Sequence, residues 1–88
     1  MSPAGLYRIV VTPAANRAIN NLEASIKIRI LARIDSLAAD PRPPGTINLQ
    51  GQEGYRIRVG DYRVVYVVED QIVTVTIVRV GHRRDVYR

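Results

Sequence analysis

Residues 55–66 read Tyr-Arg-Ile-Arg-Val-Gly-Asp-Tyr-Arg-Val-Val-Tyr. Apolar and charged residues alternate on both sides of a Gly-Asp pair, the pattern of two strands joined by a tight turn. Gly in the first loop position suits a type II′ hairpin, because Gly accepts the positive φ that this turn demands. A loop at Gly60-Asp61 sets the register: Val59 opposes Tyr62, Arg58 opposes Arg63, Ile57 opposes Val64 and Tyr55 opposes Tyr66. Directly opposed residues of an antiparallel pair project to one face. One face therefore carries Tyr55, Ile57, Val59, Tyr62, Val64 and Tyr66. The other gathers Arg56, Arg58 and Arg63 beside Val65.

The arginine face is the informative one. Like charges opposed across a ladder are destabilising, so three guanidinium groups without a carboxylate among them call for an anion from outside the chain. Arg suits phosphate because its planar fork donates two parallel hydrogen bonds and stays charged. A solvated face kept soluble by charge, or an edge guarded against aggregation, explains the same residues without a ligand.

The rest of the composition narrows the field. With 88 residues, the chain is expected to form one domain spanning residues 1–88. A net charge of +5 and a pI of about 10.2 favour a polyanionic partner. The absence of Cys removes disulfides, thiolate metal sites and cysteine nucleophiles. No signal-peptide pattern opens the chain and no apolar run reaches membrane-spanning length, so the expectation is a soluble, cytoplasmic protein with no membrane partner.

Upstream, Leu6 to Val11 alternates around Arg8 and reads as a first strand. Thr12-Pro13 marks a helix start, Thr as the N-cap and Pro where its missing N–H costs nothing. This helix is expected from Ala14 to about Leu22, with Ala15, Ala18, Ile19 and Leu22 on one stripe. A second, from about Ala24 to Ala39, places Ile26, Ile30, Ile34 and Leu37 at helical spacing. Asp40-Pro41 ends it, and 40–45 forms a stiff, proline-rich connection to the sheet. Downstream, the strand from Tyr62 continues to Val68, 69–71 turn, and Ile72 to Val80 forms an interior strand that Gly81 ends. The fold class expected is α+β: an N-terminal strand, an antiparallel two-helix hairpin, then an antiparallel meander of about three strands, with both helices on one sheet face.

The tail that follows, His82-Arg83-Arg84-Asp85-Val86-Tyr87-Arg88, adds chemistry. If the last strand pairs with the one starting at Tyr62, its end brings His82 and Arg83 towards the arginine cluster. His can move a proton, Arg can hold a phosphate, and a Tyr ring can stack on a base. A basic terminus with a surface His accounts for the same tail without chemistry. Other templates fail. There is no Gly-rich phosphate loop, the acidic residues are scattered, and a single His offers no metal cluster, so neither a cofactor nor a metal is expected.

Taken together, Leu49-x-Gly51-x-x-Gly54-Tyr55-Arg56-Ile57-Arg58-Val59, Tyr62-Arg63-Val64-Val65-Tyr66 and Val80-Gly81-His82-Arg83-Arg84-Asp85-Val86-Tyr87 resemble the RelE/ParE superfamily of toxins. The resemblance covers nearly the whole chain. It implies a toxin of a type II toxin–antitoxin system, bound by a cognate antitoxin in a hetero-oligomer. In the RelE-like branch it implies a metal-independent endoribonuclease that cuts mRNA on the ribosome, with the 2′-hydroxyl as nucleophile. Arg56 and Arg58 then match two basic strand positions, Arg63 a phosphate-stabilising arginine, Arg83 an arginine that protonates the leaving group and Tyr87 a base-stacking tyrosine. His82 falls where some relatives use His as the acid. Arg58 departs from the Lys found there in the best-known member and is a far poorer base. The alternatives are a ParE-like inhibitor of DNA gyrase, and a basic nucleic-acid-binding module without catalysis.

Overall fold

A computed structural model of the chain describes residues 6–84. The hairpin forms in the register that its turn dictates. Strands β3 (Tyr55–Val59) and β4 (Tyr62–Glu69) pair antiparallel as Tyr55 with Tyr66, Ile57 with Val64, Arg58 with Arg63 and Val59 with Tyr62. Gly60 has φ of 61°, while Asp61 does not share a positive φ, which agrees with a type II′ turn.

Around this hairpin lies a five-stranded sheet of order β1-β5-β4-β3-β2, where β1 is Arg8–Val11, β2 is Ile47–Asn48 and β5 is Thr74–His82. β2 through β5 are antiparallel neighbours. β1 instead runs parallel to β5 at the sheet edge, Ile9 beside Val75 and Val11 beside Ile77. The sheet is therefore mixed, and the two helices form the crossover from β1.

Helix α1 (Pro13–Asn20) starts where expected: Thr12 is the N-cap, its Oγ1 accepting the Ala15 N–H at 3.2 Å. Helix α2 is Ala24–Ser36, three residues shorter than the apolar spacing suggested. Ala15, Ile19, Ile30, Ile34 and Leu37 pack against Ile57, Val64, Tyr66, Val75, Ile77 and Val80 in a single core. Each fully buried aliphatic side chain there contributes about 1.5–3 kcal/mol. Tyr66 is wholly buried, and its hydroxyl donates to the Pro41 carbonyl at 2.7 Å. That bond ties the proline-rich connection to the middle of the sheet.

The last strand differs most from its sequence reading. Asp70–Ile72 forms a 3₁₀ turn, and Val73 follows with φ of 50°, a costly conformation for a β-branched residue. Its carbonyl accepts the Arg8 N–H at 2.8 Å, the first link to β1. β5 also passes through Gly81 to His82, because β4 offers partners down to Tyr62. No helix among the described residues is long and apolar enough to cross a membrane.

Candidate nucleic-acid interface

With both helices on the Ile57–Tyr66 face, no helix or strand of the described residues covers the opposite face of the sheet. Arg58 is exposed there, and Arg56 and Arg63 are half-buried. Arg63 sits directly across from Arg58, and its Nη1 is buried. Burial pushes the Arg63 guanidinium below its ordinary pKa, and the charges of Arg58, Arg56 and Arg83 push the same way, with Asp61 in part offsetting them. Arginine nevertheless keeps its proton at neutral pH. A cation held against desolvation and three like charges is stabilised by any anion that enters.

Arg83 joins this cluster through the backbone. Its N–H donates to the Asp61 carbonyl at 2.8 Å, which holds the start of the tail against the β3–β4 turn. A fifth arginine, Arg79, escaped the sequence reading. Between Val65 and Tyr66 the β4–β5 register shifts by one residue, Tyr66 opposing Ile77 but Val65 opposing Arg79. The extra residue, Val78, is a β-bulge, and it turns Arg79 to the face of Arg56, Arg58 and Arg63. The available signal was the apolar run itself: Ile77, Val78 and Val80 occupy both parities, as a bulged strand allows.

The same shift decides where His82 goes. It opposes Tyr62, while Gly81 opposes Arg63 and contributes no side chain to the open face. The imidazole meets the Tyr62 ring edge-on at 5.5 Å between centroids, and its Nδ1 accepts the Arg84 N–H at 3.3 Å. His82 thus belongs to the Tyr62 side of the sheet, and its backbone alone adjoins the arginines. Of the residues singled out from sequence, Arg56, Arg58, Arg63 and Arg83 come together, His82 stands apart, and Tyr87 lies outside the described residues.

The known proteins that this chain matches agree on its kind. The family described as the ParE toxin of type II toxin–antitoxin systems, parDE, matches residues 9–87. The chain belongs to the RelE/ParE toxin superfamily. Toxin RelG of Mycobacterium tuberculosis is 31% identical over 84 residues, covering 93% of this chain and 97% of RelG. Among solved structures, the toxin–antitoxin complex RelBE2 of M. tuberculosis superposes with a TM-score of 0.79 at 27% identity, over 89% of this toxin and 99% of that chain. The RelE–RelB complex of the archaeon Pyrococcus horikoshii gives 0.78 at 27% identity, over 91% and 98%.

The far end of the toxin's sheet is built differently. Asp70 accepts hydrogen bonds from Arg42 at 2.8 and 3.3 Å and from the Tyr7 hydroxyl at 2.6 Å. Arg42 also donates from Nε to the Tyr55 hydroxyl at 3.0 Å. This basic residue is fully engaged by its own fold, a structural use of arginine at the far end of the sheet. Among the described residues, no group of three His, Cys, Asp or Glu side chains is placed to hold a metal ion.

Proposed function

We propose that this toxin cleaves mRNA on the ribosome and is silenced by a cognate antitoxin. The observation that carries the reading is the convergence of Arg56, Arg58, Arg63 and Arg83 around one open face, where burial and the neighbouring guanidinium charges push Arg63 below its ordinary pKa. In this mechanism a 2′-hydroxyl attacks the adjacent phosphorus while the P–O5′ bond breaks. The 2′-hydroxyl loses its proton and the departing 5′-oxygen gains one, leaving a 2′,3′-cyclic phosphate and a 5′-hydroxyl. Arg63, across from Arg58 and half-buried, is suited to the extra negative charge that develops on the phosphorane oxygens. Arg56 and Arg58 hold the phosphate from β3, and Arg83 faces the leaving oxygen from the tail. Tyr87 would stack on a base. His82 acts at one remove, by fixing the tail between Tyr62 and Arg84. Membership of a toxin–antitoxin family, and the toxin–antitoxin complexes among the structural relatives, support the antitoxin partner.

Purified toxin mixed with programmed ribosomes is the test. The expected result is cleavage within the message at the A site, far faster than cleavage of the same RNA when free, and resistant to chelator at levels that leave ribosomes intact. Equal cutting of free RNA, or no cutting, sinks the reading. A second reading, inhibition of DNA gyrase, is favoured by the ParE description of the matching family. In a supercoiling assay it predicts inhibition by the toxin alone and relief by antitoxin.

A further inference from the structure

The basic surface does not end at the open face. β2 covers only Tyr55 and Arg56 of β3, so from Ile57 onward the outer edge of β3 has no strand beside it among the described residues. α2 runs alongside that bare edge. Between them lies an open groove of about 520 Å³, lined by Arg29, Ala32, Arg33, Ser36, Arg58 and Gly60. On α2 these residues fall at i, i+3, i+4 and i+7, a single face of the helix. The face alternates two arginines with two small residues, so the cations stand as walls over a shallow floor.

Three features set this groove apart from an ordinary solvated face. First, Arg29 and Arg33 are like charges one turn apart, which weakens a helix unless something else uses them. Second, neither they nor Arg58 has a carboxylate partner among the described residues, in contrast to Arg42, which pairs with Asp70. Third, Arg29 is aimed. Its guanidinium atoms lie 3.6–3.9 Å from where a side chain on Gly60 would begin. It thus reaches over the β3–β4 turn, whose other residue, Asp61, holds Arg83. Arg58 belongs to both surfaces, and a bare strand edge adds outward N–H donors. A continuous cationic track therefore runs from the open face, round the edge of β3, to α2.

We propose that this groove is a second phosphate-binding site, taking the phosphodiester backbone of the same RNA strand a few nucleotides away from the arginine cluster. It rests on the reading of this protein as an RNA-binding toxin and adds the path of the strand. Arg29 and Arg33 position the strand and take no part in the bond that breaks. Because they hold backbone phosphates and no base edge, they supply affinity without sequence preference.

The test is equilibrium binding of the full-length toxin to 2′-O-methyl oligouridines, which cannot be cleaved, of about 12 and about 3 nucleotides, across a salt series. Each phosphate neutralised on a single strand contributes about 0.7 to the slope of log K against log salt. Arg29→Gln/Arg33→Gln is expected to weaken binding of the longer strand and flatten its slope by about 1.4, leaving the shorter strand as in wild type. Arg29→Gln alone, at an exposed position, is expected to flatten it by about half as much and serves if the double variant melts. Arg8→Gln/Arg17→Gln removes the same charge elsewhere and is expected to change the slope little. An unchanged slope, an equal loss on the short strand, or an equal loss in the remote pair overturns the proposal. Since no cleavage and no ribosome are involved, failure here is separate from failure of the nuclease assay.

Discussion

Arg63→Gln should separate function from stability in opposite directions. The residue opposes Arg58 across the β3–β4 ladder and is disfavoured as a cation by burial and by Arg58, Arg56 and Arg83. A directly opposed like-charge pair costs about 0.2–1 kcal/mol, and Gln relieves it. Against this stands the loss of part of the aliphatic stem's packing and of the guanidinium's own contacts, which the amide of Gln replaces in part. The net expectation is a fold unchanged or stabilised by up to about 1 kcal/mol, a rise in melting temperature of no more than about 8 °C for a domain of this size. Cleavage should move the other way. Removing one charged donor from a developing phosphorane costs about 10²–10³-fold in rate, or roughly 2.7–4 kcal/mol. Thermal unfolding and single-turnover cleavage on programmed ribosomes, done on one preparation, read both. Salt supplies an internal check, since screening weakens like-charge repulsion: added NaCl should raise the wild-type melting temperature more than that of the variant. A variant that melts well below wild type yet cuts normally would show that Arg63 serves the fold and not the phosphate.

Three further outcomes follow from the geometry. The Asp70 carboxyl is held below its ordinary range, first by the Arg42 hydrogen bond and then by that of Tyr7; its stabilising effect is present above the unfolded carboxylate value and lost as pH falls through the lower folded value, so acid melting curves of Asp70→Asn should lack that dependence. Gly54 has φ of 132°, and a Cβ there would stand 3.0 Å from the Tyr66 carbonyl and 3.1 Å from Leu49 Cδ1, whereas one on Gly51, at 74°, would meet nothing within 4 Å; Gly54→Ala should therefore cost about 1–3 kcal/mol in denaturant unfolding and more than Gly51→Ala. His82→Gln should slow ribosomal cleavage far less than Arg63→Gln and leave its pH profile in place, because the imidazole faces Tyr62; a pH dependence that vanishes in this variant would make His82 a proton-transfer group instead.

How much of this could be read from sequence depended on whether a local rule governed the residue. The hairpin was fully legible, since a Gly-first loop fixes every pair from Tyr55–Tyr66 to Val59–Tyr62 and with them the arginine face. The Thr12 cap and the core stripes of both helices were legible for the same reason. Parallel pairing of β1 with β5 was not, because the partners Arg8 and Thr74 lie at opposite ends of the chain and no turn chemistry connects them. The bulge at Val78 was also hidden. It is stabilised by burying Ile77 and Val80 together on the core side, a tertiary preference that apolar residues at both parities permit without saying where the extra residue falls. That one bulge is why Arg79 was not read as part of the arginine face, and it also sets the His82 ring beside Tyr62.

That placement bears on the chemistry the proposed reading requires. A nuclease step needs charge stabilisation, a group to take the 2′-hydroxyl proton and a group to supply one to the 5′-oxygen. The open face offers charge in abundance: Arg56, Arg58, Arg63 and Arg79 across three strands, with Arg83 at the turn. Arginine is poor at both proton transfers near neutral pH, and the one imidazole in the described residues projects from the other side of the sheet. A site of this kind lowers the barrier through electrostatics and depends on something else for alignment. A codon held rigidly on the ribosome, already bent towards in-line attack, would supply that alignment, whereas a free strand must find it unaided. A preference for ribosome-bound message would then follow from a site rich in charge and poor in proton-transfer groups. Lys offers a titratable amine at the same strand position, so Arg58→Lys is expected to raise single-turnover cleavage on the ribosome, most visibly at alkaline pH. If the rate and its pH profile stay as in wild type across that range, proton transfer is not what the arginine site lacks.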